Sequence, residues 1–381
     1  MHEVTIKPEW IIRGPAGASL PRRVVELLVK VDEQGSLAGA CKATGISYRY
    51  AWQLLREGEQ LFAEPLIVMQ RGKGSKLTVL GEKLVWADRR VAARLSPLLD
   101  SLASELGAEI KKARSSAPAL LRIHASHGFS IQLLHEFLAT ANVPNELNYR
   151  SSLEAVVSLH DGDCDVAGFH VPVGEFEAPM LSHYRQWLKS GSLRIVNIVT
   201  RRQGLIVARG NPKEIYRVAD LARPNVRFIN RQPGSGTRLL LELLLQKEGI
   251  ERSRIKGFEH YEFTHAAVAA YVASGMADVG YGVETPARQF KLDFIPSQTE
   301  RYCLMCDEKT LTSPLLQQML KTLRSTRYKT AVNQLPGYHT HKAGTVMSLQ
   351  DAFASMNALP GSAVVQRQSP IRRLPPAARL R

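Results

Sequence analysis

Apolar residues along 36–62 recur at helical spacing in two short bursts. Leu37, Ala40 and Cys41 define the inward side of a helix over 37–44, with Ser36 placed to cap it. Gly45 follows, where a tight inter-helix turn needs a positive φ. Ser47 is placed to cap a second helix over 48–62, whose inward positions are Ala51, Leu54, Leu55 and Leu61. Residues 65–70, PLIVMQ, and 76–80, KLTVL, read as two strands joined by a glycine-containing basic tip from Arg71 to Ser75. From 79 to 112 the period returns to three and four, through Leu84, Val91, Leu95, Leu98, Leu99, Leu102 and Leu106. Thr78 can cap this long helix, and Pro97 interrupts it. An isolated helix cannot cover such a stripe, so a partner helix is expected.

Beyond KKARSSAP at 111–118 the pattern alternates between strands and helices. Strands are predicted at 119–126, 146–151, 165–171, 226–231 and 277–283, and LRIVNIVTRRQGLIVARG at 193–210 reads as a hairpin-like pair. Helices are predicted at 128–140, 152–162, 237–249 and 265–275, with a short one at VADLA. Alternation of this kind implies a parallel sheet with helices on both faces. It divides into units at 119–195 and 212–290, hence two α/β lobes with a crevice between them.

The first region has the outline of a winged helix-turn-helix. A recognition helix reads bases with its N-terminal residues, which here are Ser47, Tyr48, Arg49 and Tyr50, with Gln53 and Arg56 following. Arg49 suits guanine and Gln53 adenine, although either could stand on a solvated face. Tyr48 and Trp52 are spaced to pack on each other. Arg71, Lys73 and Lys76 make the wing cationic, which suits phosphate contact; an ordinary charged hairpin would look the same.

SYRYAW at 47–52 and EPLIVMQRGKGSKLT at 64–78 resemble the N-terminal domain of the LysR and ModE families of bacterial transcriptional regulators, closer to the ModE pattern. The resemblance spans about 18–112 and implies a winged helix-turn-helix over 18–80 and a linker and dimerisation helix over 81–114. QPGSGTR at 232–238, ASGMADVGYGV at 273–283 and LPGYHTHKAG at 335–344 resemble the type 2 periplasmic-binding-protein fold used as a sensor, in particular its molybdate- and tungstate-binding-like group. That resemblance covers 118–345 and departs from ModE itself, whose effector domain is a small β-barrel. The fold class expected is therefore α/β with an N-terminal all-α-plus-wing module.

In open α/β sheets ligands sit at the carboxyl ends of strands, where helix N-termini offer free N–H groups to an anion. Those ends are hydroxyl-rich here. They hold Ser126-His127, Ser151-Ser152, Gly234-Ser235-Gly236-Thr237 and Thr264-His265. His170, Tyr281 and Glu284 follow other strand ends, and Arg231 and Arg238 could neutralise an anion or be solvated. A lone serine at such a place is more often a plain cap; their coincidence on one side is what suggests a ligand. Molybdate, tungstate or a small carboxylate such as formate would fit equally.

The 381 residues suggest two or three domains, and the net charge of +15 favours an anionic partner. The charge is spread out, at +5 in 1–114 and +5 in the 361–381 tail. The Pro- and Arg-rich stretch 360–381 is expected to be a disordered basic tail. Cys303 and Cys306 form the single C-x-x-C, on a strand that points them to opposite faces, so structural thiols in a reducing cytoplasm are expected and no metal. The GSGT loop lacks a P-loop lysine, and no carboxylates for Mg²⁺ lie near it, so neither catalysis nor a cofactor is expected. Two rival readings are an enzyme using that loop as a phosphate cradle and a transport solute-binding protein. The partners expected are double-stranded DNA, a small anion effector and a second copy as homodimer or homotetramer. RNA polymerase is a further candidate partner, and no membrane is expected.

Overall fold

Hydroxyl caps open the second and third N-terminal helices, and left-handed glycines close the first two. The computed structural model describes residues 4–15, 17–70, 74–113, 119–188 and 191–353. Helix α1 spans Arg22–Gln34, α2 Leu37–Thr44 and α3 Tyr48–Phe62. The Ser36 hydroxyl accepts the Gly39 amide and Ser47 that of Tyr50, while Gly45 turns the chain at φ 69°. Strands β1 (Ile67–Gln70) and β2 (Gly74–Leu77) form the antiparallel wing. Ser75 on the wing accepts the Leu37 amide at 2.7 Å, which locks wing to helix. Arg71, Lys73 and the tail 360–381 lie outside the described residues.

Helix α4 runs unbroken from Val79 to Lys112 through Pro97. Of the leucine stripe only Leu84 lies on its buried face. Leu84 and Val85 pack into the head, and the small residues Ala103 and Ala108 are buried further along, where the helix lies against strand β4 (Asn145–Tyr149). β4 is the outer strand of the large sheet, so its outward amides need partners. Ser104 accepts the Leu147 amide at 2.8 Å and Ser101 that of Tyr149 at 2.9 Å. Replacing both serines by alanine is expected to cost about 1–2 kcal/mol and to speed hydrogen exchange at those two amides. Unchanged exchange would mean that water already holds them.

The sheet runs β4-β3-β5-β10-β6-β9-β7-β8. Its further strands are β3 (Leu121–Ala125), β5 (Val166–Pro172), β6 (Leu193–Val207), β7 (Phe228–Arg231), β8 (Tyr261–Glu262), β9 (Val279–Val283) and β10 (Asp293–Asp307). Within each lobe the strands are parallel, as expected: β3 with β4 and β5, and β7 with β8 and β9. The helices between them are α5 (Phe129–Thr140), α6 (Ser152–Asp161), α7 (Glu177–Tyr184), α8 (Gly236–Lys247), α9 (His265–Ala273) and α10 (Glu284–Gln289). At the end of the described chain come α11 (Glu308–Leu311), α12 (Pro314–Arg324), α13 (Thr326–Asn333), β11 (Tyr338–His339), β12 (Val346–Ser348) and α14 (Leu349–Ala352).

Two expectations are corrected. Residues 193–210 are not a hairpin pair: 193–207 form one 15-residue strand. β6 pairs antiparallel along its length with the equally long β10, and the two pass from one lobe into the other. The sheet is therefore mixed. The polar run Thr200-Arg201-Arg202-Gln203 looks like a turn but is the crossing itself, with Arg201 and Gln203 buried. VADLA at 218–222 is 3₁₀ and not α.

Cys303 and Cys306 are fully buried in β10, one in the core that holds Phe169 and Tyr184, the other in the core that holds Ile123 and Leu134. They face opposite sides, as strand periodicity requires. All four cysteines are free and buried. Among the described residues no helix is long and apolar enough to cross a membrane.

Candidate ligand site and nucleic-acid face

On α3, Tyr48, Arg49, Gln53 and Arg56 are exposed along one side. Gln53 donates to Glu57 at 3.0 Å, and Tyr48 meets Trp52 edge-on at 6.2 Å. Ser47 serves as the cap. Tyr50 is turned toward the head core, with the Arg23 guanidinium 5.8 Å over its ring. Lys76 on β2 is exposed. The helix thus offers one Arg-Gln-Arg stripe, and the wing an exposed lysine.

At the crevice the structure brings most of the expected residues together. Ser126, at the end of β3, and Ser152, opening α6, both reach His170 Nδ1 on β5, at 3.4 and 3.0 Å. The His170 ring stacks on Tyr302 at 4.0 Å. The glycine loop of the second lobe presses onto this group. A Cβ on Gly236 would stand 3.1 Å from His170 Cβ, and one on Gly234 3.4 Å from Ser151 Oγ. Gly234 also has φ 77°, a conformation that favours glycine. Ser151, Ser235 and Thr264 accept amides of their own helices. A hydroxyl that accepts with a lone pair keeps its hydrogen to donate, so the caps do not exhaust these residues.

Tyr281 is not part of this group. It stands in the core of the second lobe, hydrogen-bonded to Ser297 at 2.9 Å. His265 packs beside Gly282, the next residue along β9. Arg238 pairs with Glu242 and Glu259, and Glu284 with Arg202 and Arg288, so both are engaged elsewhere.

The crossing strands supply what sequence patterning missed. Glu300 is fully buried, and its Oε1 accepts from both Arg201 Nε and Gln203 Nε2. Gln203 Nε2 also donates to Thr237 at 2.9 Å, and Arg201 reaches Tyr338 at 3.4 Å. The sequence carried little signal for them, because Arg201 and Gln203 stand in the polar run 200–203 and Glu300 in the polar run 297–301, both of which read as breaks between strands.

Arg231, at the end of β7, is 3% exposed and has no carboxylate within ion-pair reach among the described residues. Its Nη2 donates to the Phe263 carbonyl at 2.7 Å, while Nε and Nη1 have no partner. Burial, and then Arg201, pull its pKa down to about 9, which leaves it charged at neutral pH. Burial and the same two arginines hold His170 and His265 well below the usual histidine range, hence neutral. His170 Nε2 and His265 Nδ1 are also without partners. Two guanidiniums against one carboxylate leave a surplus positive charge beside unpartnered polar atoms and the starts of α6, α8 and α9.

This group opens into a cavity of about 660 Å³. Ser126, His127, Ser151, Arg231 and Ser235 form its floor, and α4 of the same chain forms its roof. The helix is fixed there at its proline. Pro97 has no N–H to give the Ala93 carbonyl, and Thr264 donates to that carbonyl at 2.9 Å instead. Thr264 caps α9 with the same hydroxyl. Arg94 pairs with Glu262, and Trp86 donates to Ala270. Thr264→Val is expected to lower stability by about 1–2 kcal/mol by losing a cap and freeing a carbonyl, with Thr264→Ser near wild type. Equal midpoints for all three in urea would refute the link.

A family model described as a PBP superfamily domain matches residues 135–324. The chain is 31% identical over 100 residues to the molybdenum-pterin-binding protein MopB of Rhodobacter capsulatus, covering 25% of this chain and 37% of that one. Among solved structures, an H₂O₂-bound OxyR mutant of Corynebacterium glutamicum aligns with 83% of this chain and 94% of its own at 14% identity and a TM-score of 0.42. The YvgK protein of Bacillus subtilis (strain 168) is 33% identical over 222 residues, which is 57% of this chain and 70% of YvgK, and the chain belongs to the same family as YvgK.

Proposed function

We propose that this protein is a DNA-binding transcriptional regulator whose operator affinity is set by a small anion held between the two lobes. The observation that carries the anion half is Arg231: a buried guanidinium with two unpartnered N–H groups beside several helix starts. Leaving such donors unpaired is costly, and a bound anion removes the cost. The DNA half rests on the exposed Tyr48, Arg49, Gln53 and Arg56 stripe of a helix-turn-helix with a wing. One helix, α4, joins the two and is pinned to the crevice, so closure on a ligand and placement of the head share a rigid part. Ligand and DNA binding are then thermodynamically linked. Two copies joined along the linker helix would present two recognition helices to a palindromic site. Molybdate, tungstate and formate are the first ligands to try.

The test is fluorescence anisotropy on the chain's own promoter region, with and without each anion. Promoter binding that no anion shifts would remove the sensor half; no preference for the promoter over random duplex would remove the DNA half. Arg49→Ala is expected to weaken operator binding by about 1–3 kcal/mol and to relax sequence choice, whereas Lys76→Ala should weaken all sequences alike and lower the salt slope by about one. An Arg49→Ala chain with unchanged discrimination would mean that another residue reads the bases.

A further inference from the structure

The cavity above Arg231 is far larger than a bare oxyanion and is not polar throughout. Its volume is about 660 Å³, whereas a water takes about 30 Å³ of liquid. A five-atom anion seated on Arg231 would leave most of that space to solvent. Opposite the charged floor stand Leu95, Leu98 and Leu102 of α4, and at the sides Tyr149 and Phe263. These three leucines are 40–60% exposed, and Phe263 is 59% exposed. The Tyr149 ring is fixed by His127, edge-on at 4.9 Å. One end of the cavity therefore holds Arg231 and hydroxyl donors with Glu154 near them, and the other a leucine-rich roof interrupted by Arg94, Ser101 and Glu105.

We infer that the ligand is an amphiphilic organic acid, with its anionic head on Arg231 and an apolar body against the leucines of α4. This rests on the anion-sensor reading and names the ligand class for the same site. Charge complementarity fixes the head: Arg231 Nε and Nη1 are the unpartnered donors. The roof fixes the body. Burying Leu95, Leu98 and Leu102 against a ligand removes apolar surface from water that a bare anion would leave exposed. A ligand of this kind touches the linker helix directly. Occupancy of the crevice is then felt by α4 through the ligand as well as through Thr264.

The experiment is calorimetry on the full chain with straight-chain carboxylates from acetate to octanoate, alongside molybdate and sulfate. Affinity is expected to rise by up to about fourfold per buried methylene until the cavity is filled. The binding heat capacity should grow more negative along the series. Leu102→Asp and, at the side of the cavity, Phe263→Ser should flatten the rise along the series. Both positions are exposed, so neither change threatens the fold. Arg231→Gln should abolish the whole series. A flat series in a chain that does bind acetate or molybdate would overturn the apolar body while leaving the anion site standing. Octanoate binding unaffected by Arg231→Gln would place it elsewhere and overturn the inference. So would Leu102→Asp dissociating an oligomer with octanoate affinity unchanged, because a second copy would then cover the leucines. No binding by any of the anions would remove the anion reading itself.

Discussion

Glu300→Ala is expected to destabilise the protein by about 3–5 kcal/mol, the range for stranding one member of a buried ion pair. Glu300 is fully buried and is the carboxylate that meets Arg201, itself 1% exposed. Its removal leaves Arg201 and Arg231 facing each other without a counter-charge, and frees Gln203 of the acceptor it now holds at 2.8 Å. The loss falls where β6 and β10 cross between the lobes, so the two-lobed domain should unfold at a lower urea midpoint. Glu300→Gln keeps an acceptor for Gln203 and loses only the charge, so a smaller loss is expected. Molar sulfate should restore part of the alanine variant's stability by standing in for the carboxylate. A measured loss below about 1 kcal/mol, smaller than that of one ordinary buried hydrogen-bond partner, would mean that water reaches the crossing and the charges are not buried together.

Arg231→Met should have the opposite sign. Removing a buried guanidinium whose Nε and Nη1 have no partner is expected to stabilise the ligand-free chain by about 1–3 kcal/mol. The Phe263 carbonyl that Arg231 now holds stands at the cavity wall, where water can take over. The same change removes two charge-assisted donors from the anion, each worth about 1.5–3 kcal/mol, and affinity should fall roughly a hundredfold or more. A thermal scan without ligand gives the first quantity, and calorimetry with molybdate, formate or a longer carboxylate gives the second. Stability exchanged for function at one residue is the signature sought. If Arg231→Met were less stable and still bound anions as tightly as wild type, Arg231 would be a structural group and the binding centre would lie elsewhere.

From Ser36 to Lys112 the head was legible in the sequence almost residue by residue, whereas α1 at Arg22–Gln34, which opens on Pro21 with no side-chain cap, was not read. Ser36, Gly45 and Ser47 act through their nearest neighbours, and a cap or a left-handed turn is decided within four residues. The boundaries of α2, α3 and α4 follow from such signals together with helical periodicity. Most of the lobes' βα units were legible too, because a buried parallel strand and an amphipathic helix each write their own period, but α7 and α10, of eight and six residues, were too short to show one.

What could not be read was decided at long range. Arg201 and Glu300 are 99 residues apart in sequence, and each alone looks like a break in a strand. Only their pairing makes burial tolerable, and pairing depends on the register of β6 against β10. Tyr281 and His265 both follow promising junctions, yet the alternation of β9 sends Tyr281 into the core. The leucine stripe of α4 announced an apolar partner, but a helical period does not say which one. Packing settled that the small face of α4 covers β4, and that Leu95, Leu98 and Leu102 roof the crevice. Local chemistry in the chain fixed the elements and the hydroxyl-bearing junctions. Tertiary structure alone decided which charges met a partner and which, like Arg231, were left without one, because the cost of burying a charge is set by what surrounds it and not by its neighbours in sequence.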